Sequence, residues 1–114
     1  MSPISNYLRT HRRKWCLTRQ EVAFLLGSTT GGQISRYERR QRTPTLEAAL
    51  CFELLFDVTP RELFPGLFAE VERSVIERSL ALHHMLVHNE PTATLERKLE
   101  LLRSIAARGE TLIA

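Results

Sequence analysis

The sequence has little of what defines several large protein classes. Only two of its 114 residues are cysteine, Cys16 and Cys51, and no metal-ligand spacing joins them. A disulfide-stapled scaffold or a cysteine zinc site therefore has no basis, and sparse cysteine suits a reducing cytoplasm. No apolar run approaches the roughly 20 residues that a membrane-spanning helix needs. The opening MSPISNYLRTHRRKW lacks the apolar core of a signal peptide. Strand-like alternation, internal repeats and low-complexity tracts are missing, so the chain reads as all-α. So are a glycine-rich phosphate loop after a strand, a Ser-His-Asp spacing and a paired acid set, which argues against an enzyme. His83, His84 and His88 form HHxxxH, but no cysteine or clear carboxylate completes a ligand set nearby. The expectation is a chain with no membrane span, metal or cofactor.

What is present is an ordinary 43% hydrophobic content and a lopsided charge. That content suits one compact domain, or a small domain with an appended helical tail. Residues 1–45 carry nine Lys/Arg against two Glu, net +7, whereas residues 46–114 carry seven against eleven Asp/Glu, net −4. A basic head suits a polyanion, and the acidic remainder suits another task.

Residues 17–44, LTRQEVAFLLGSTTGGQISRYERRQRTP, are the most informative stretch. Thr18 followed by Glu21 predicts a capping box, in which hydroxyl and carboxylate each satisfy an orphan amide. Val22, Ala23, Leu25 and Leu26 supply an apolar stripe, and small Ala23 lets a second helix approach. Gly27 stands where the helix must stop in a left-handed conformation. Ser28, Thr29 and Thr30 offer caps for the next helix, whose inner face is Ile34 and Tyr37. Pro44 and Thr45 break and restart the chain.

These residues resemble the lambda-repressor/Cro/Xre class of helix-turn-helix transcriptional regulators. The likeness rests on the capping box, Ala23 and Gly27, then Ile34, Ser35, Arg36 and Glu38, followed by Arg42 and Pro44. It covers roughly residues 5 to 64, about five helices in that family. It implies a five-helix lambda-repressor-like DNA-binding domain over residues 1–65. Residues 66–114 would add two C-terminal helices. It further implies a bacterial or phage repressor that inserts its third helix, about residues 30–40, into the major groove of double-stranded DNA.

Carried over position by position, the base-reading residues are Gly31, Gly32, Gln33, Ser35 and Arg36. Gln33 would pair with an adenine edge and Arg36 with a guanine edge, each worth about 1–3 kcal/mol of discrimination. The alternative for Arg36 is contact with phosphate or solvent alone. Arg39, Arg40, Gln41, Arg42 and Thr43 read as a phosphate clamp, with Arg19, Gln20 and Thr30 on the other flank; the alternative is a solvated charged loop. The family also pairs a first-helix arginine with the glutamate closing the recognition helix, which implies a structural salt bridge between Arg12 and Glu38. The chain departs from the pattern twice. Six residues separate Gly27 from Ile34 where the family has five, and Arg40 stands where glycine usually ends the helix.

Elsewhere, helix 1 is expected from Pro3 to about Lys14, capped by Ser2, with Ile4, Tyr7, Leu8 and His11 inward. A fourth helix should follow Thr45 and bury Leu46, Ala49, Leu50 and Leu54. A fifth is marked by Thr59, Pro60 and Glu62 and ends at Phe64. A long helix from Leu67 to about His88 carries Phe68, Val71, Val75, Leu82 and Met85 on one stripe, and a last one spans about Thr94 to Ala107. Cys16 and Cys51 read as small core residues. The two C-terminal helices need a surface to bury: they could fold back on the head and only thicken its core, or pair with those of a second copy. The resemblance, with its two-fold related half-sites, favours the homodimer. The competing class is an antitoxin or coactivator whose residues 67–114 bind a protein partner.

Overall fold

A computed structural model of the chain describes residues 6–113, with side-chain surroundings as far as Gly109. The described residues form seven helices and no strand. They are α1 Leu8–Lys14, α2 Arg19–Leu25, α3 Gly32–Glu38, α4 Leu46–Phe56, α5 Pro60–Leu63, α6 Pro65–Leu86 and α7 Ala93–Ile113. None is long and apolar enough to cross a membrane. The chain divides into two compact units, Met1–Phe68 and Ala69–Ala114.

Local chemistry sets the helix boundaries of the N-terminal unit. At the start of α2, the Thr18 hydroxyl accepts from Glu21 N at 3.0 Å, and Thr18 N donates to the Glu21 carboxylate at 2.8 Å. Thr45 and Thr59 cap α4 and α5 in the same sense. Gly27, at φ +82°, ends α2: Gly27 N donates to Phe24 O and Ser28 N to Ala23 O, the paired bonds of a left-handed terminator. Cys16 (φ +58°) and Arg40 (φ +62°) end α1 and α3 with the same pair of bonds, without glycine's freedom.

Several expectations need correction. Ser2, Pro3 and Ile4 lie outside the described residues, and α1 begins only at Leu8. Asn6 and Tyr7 are not helical because their polar groups are committed elsewhere. Tyr7 N donates to Leu63 O at 2.8 Å, and the Asn6 amide donates to Tyr37 O at 3.2 Å. Tyr7 is exposed, as are Leu25 and Cys16. None of Ser28, Thr29 and Thr30 caps α3, whose N-cap is Gly31. α6 starts at Pro65, two residues before its expected start at Leu67, and ends at Leu86.

The largest correction concerns α4. Leu46, Leu50 and Leu54 are 74, 50 and 87% exposed, while Ala48, Phe52 and Phe56 are buried. Both sets follow the i, i+4, i+8 spacing of one helix face. The aromatic face wins because each ring removes more apolar area from water, and Ala48 permits close approach. Phe52 is the hub: Tyr37 meets it edge-on at 6.2 Å, Phe56 stacks at 6.4 Å and Phe64 tilts at 6.1 Å. Leu8, Val22, Ala23 and Ile34 complete this core.

In the C-terminal unit, Ile76 and Ser79 of α6 and Leu95, Leu99 and Leu102 of α7 are buried. Thr92 caps α7 through Leu95 N, and Arg108 pairs with Glu72 at 3.0 Å. The expected stripe of α6 is turned outward: Val71, Val75, Leu82 and Met85 are exposed.

The capping box makes a pH prediction. The Glu21 carboxyl is held below its ordinary value of 4.5, chiefly because it accepts from the Thr18 backbone N–H. Its contribution is therefore full above the ordinary carboxylate range and lost as pH falls through the lowered folded value. Thermal melts of wild type and Glu21→Gln should diverge near neutral pH, wild type being more stable, and converge in acid. A difference that stays constant down the acid range would contradict this.

Candidate nucleic-acid interface

The pattern of α3 divides the helix into two faces. Ile34 and Tyr37 are buried and Glu38 points inward with them, while Gly32 and Arg36 are exposed on the opposite side. Gln33 and Ser35 lie half-buried on the flanks. Arg39, Arg40, Gln41, Arg42 and Thr43, beyond the end of the helix, are all exposed. From Gly32 to Thr43 the only carboxylate is Glu38.

That carboxylate is the electrostatic centre of the unit. Glu38 Oε2 accepts from Arg12 Nε at 2.7 Å, and Oε1 accepts from Arg12 Nη2 at 3.4 Å and from Arg19 Nε at 3.2 Å. Arg12 Nη1 donates to Leu17 O at 2.9 Å, so all three nitrogens of its guanidinium are engaged. Glu38 and Arg12 side chains are 3% and 10% exposed, whereas Arg19 is 39% exposed. A buried carboxylate is tolerable only when paired and hydrogen-bonded, and this pairing ties α1, α2 and the end of α3 together. Two guanidinium groups on one carboxylate leave a surplus positive charge, and Arg19 carries it toward solvent. The sequence placed Arg19 with the phosphate contacts; its link to Glu38 was missed, because nothing in the spacing marks a third partner.

The turn between α2 and α3 is also held by side chains. Gln20 Nε2 donates to Thr29 O at 2.9 Å, and Gln20 Oε1 accepts from Gly31 N at 3.0 Å. This clasp spans the turn from Thr29 to Gly31. Gly31 is the point of contact: a Cβ there would lie 3.1 Å from both Arg19 Cβ and Gln20 N. Its role in the fold is close approach to the start of α2. Gly32 differs, since a Cβ there would meet only Thr30 Oγ1, at 3.8 Å. The centre of the outward face is thus open space beside Arg36. Thr30 is exposed, and its carbonyl lies 3.4 Å from Ser28 Oγ.

Gln33 is not free either. Its Nε2 donates to the Tyr37 hydroxyl at 3.0 Å, and its Oε1 lies 3.5 Å from Arg42 Nη1. The structure therefore joins a base-reading candidate to a phosphate-clamp candidate. The i, i+4 spacing of Gln33 and Tyr37 was the visible signal for the first of these bonds. Away from this surface, the His84 and His88 rings meet edge-on at 6.0 Å. No group of three metal-capable side chains is gathered among the described residues.

No protein-family model matches the chain, and neither a curated protein nor a solved structure matches it.

The ion-pair centre predicts unequal costs. Glu38→Ala leaves buried Arg12 without its partner and should lose about 3–5 kcal/mol in urea unfolding. Arg19→Ala removes a half-exposed contributor and should cost no more than about 1 kcal/mol. Equal losses for the two variants would contradict the division of roles.

Proposed function

We propose that the chain is a DNA-binding transcriptional regulator of the lambda-repressor-like type, acting as a repressor, that lays α3 in the major groove. The observation that carries this reading is one of charge and burial. Arg36, Arg39, Arg40 and Arg42 are exposed on one short segment, and the only carboxylate within it is buried beneath Arg12 and Arg19. Such a surface presents several positive side chains and no exposed carboxylate within the segment, which suits phosphate binding. Gly32 adds an open place where the helix backbone can come near a groove wall. Arg36, at the centre of the outward face, is the side chain best placed to reach a base edge. Arg19, Gln20, Thr30 and Thr43 flank it. The role is binding, and no catalytic step is assigned to the chain.

We further propose a homodimer, supported by the exposed stripe of Val71, Val75, Leu82 and Met85 on α6. A second copy would cover that stripe and set two α3 helices against two half-sites. An antitoxin or coactivator with a different protein on the same stripe is the competing reading. Sedimentation of the purified chain at micromolar concentration should give a dimer, and a monomer would contradict the homodimer.

Salt dependence tests the DNA reading. Affinity for duplex DNA should fall steeply with salt, and Arg42→Ala should reduce the log–log slope by roughly one. Arg40→Gly is the sharper variant. It puts glycine at a left-handed position, φ +62°, removes one guanidinium from the loop, and should reduce the salt slope by roughly one. Unchanged slopes in both variants would remove this loop from the interface.

A further inference from the structure

Tyr37 reads at first as a core residue and nothing more. It is 3% exposed, its ring meets Phe52 edge-on, and its carbonyl accepts from the Asn6 amide. Its hydroxyl, however, accepts from a side chain on the flank of the proposed recognition face, Gln33. We propose that Tyr37 is a positioning residue for base reading: its hydroxyl, together with Arg42, fixes the orientation of the Gln33 amide before DNA arrives. The inference rests on the DNA-binding reading, with Gln33 as a reader of adenine, and adds to it the device that sets the reader.

The chemistry of the donors fixes which way the amide points. A guanidinium only donates, so the amide oxygen must face Arg42 and the NH₂ must face the phenol. Neither bond exhausts the amide. Nε2 keeps a second hydrogen and Oε1 a second lone pair. These form one donor and one acceptor on a single edge when the phenol takes the hydrogen trans to Oε1 and Arg42 the lone pair turned away from Nε2. That edge complements adenine, whose N7 accepts and N6 amino group donates, and not guanine, whose N7 and O6 both accept. Fixing the amide determines which end of the edge donates, so adenine is read in one register. The anchor is rigid because the Tyr37 ring is packed on Phe52. A glutamine held in this way also loses less rotamer freedom on binding than one that swings in solvent. Arg42 supplies a second coupling: a phosphate that draws it away would release the amide oxygen, and one that holds it in place would keep the oxygen set.

Tyr37→Phe tests the idea, since it keeps the ring and deletes only the hydroxyl. The full-length wild type, Gln33→Ala and Tyr37→Phe are each used to select bound duplexes from a pool with a randomised centre. Wild type should enrich a motif containing an A·T pair that Gln33→Ala flattens, a loss of about five- to a hundredfold in preference. Tyr37→Phe should weaken the same column by at least about threefold, with salt slope, non-specific affinity and melting temperature near those of wild type. A purely structural hydroxyl would shift the melting temperature and leave the column intact, which would overturn the proposal. So would a Gln33→Ala motif identical to that of wild type. Failure of wild type to enrich any motif is a different result, and it overturns sequence-specific binding itself. A measurement on the free wild-type chain is independent of any variant. Nuclear Overhauser contacts between the Gln33 amide protons and the Tyr37 ring are expected, and their absence would overturn the tether.

Discussion

The buried carboxylate of Glu38 is the constraint on which the N-terminal unit depends. It ends α3, and its charge must be met inside the protein. Arg12 of α1 meets it from one side and Arg19 of α2 from the other, at 2.7 and 3.2 Å. One acid thereby fixes the end of α3 against both preceding helices. The same burial removes the only negative charge from the stretch between Gly32 and Thr43. Geometry and electrostatics are therefore consequences of one placement: α3 is held, and no carboxylate is exposed between Gly32 and Thr43.

Local backbone preference gives way to other demands at several points of this surface. Arg40 occupies a left-handed position that glycine would fill with less strain, so a positive side chain is kept there at the expense of backbone energy. Gly31 gives up helix propensity so that the start of α2 can approach. Gln20 spends both ends of its amide on the backbone of the turn. Together these hold the turn between α2 and α3 tightly. The face beyond it stays open at Gly32.

Much of this was legible in the sequence where the cause was local. Thr18 with Glu21, Thr45, Thr59 and Gly27 act on backbone atoms within a few residues, and their spacing suffices to place helix ends. The all-helical class was likewise visible in the 3.6-residue periodicity. The face of α4 was not, because Leu46-Leu50-Leu54 and Ala48-Phe52-Phe56 satisfy the same spacing. What decides between them is packing against Tyr37 and Phe64, which are distant in sequence. The outward stripe of α6 escaped for the same reason. Within the candidate site, the exposed arginines followed from residue type, and the Arg12–Glu38 pairing was implied by the family resemblance. The third partner Arg19 and the Gln20 clasp depend on turn geometry that no spacing rule encodes, whereas the Gln33–Tyr37 bond had its i, i+4 spacing as a signal.

The claim that this arginine-rich face is the DNA-contacting surface is tested most directly by mapping. A short duplex is titrated at low salt into isotope-labelled protein, and backbone amide shifts are followed by NMR. The account predicts perturbations concentrated at Arg19, Gln20 and residues 30–43, fading as salt is raised. Perturbations confined to other segments, or none at all at low salt, would contradict it.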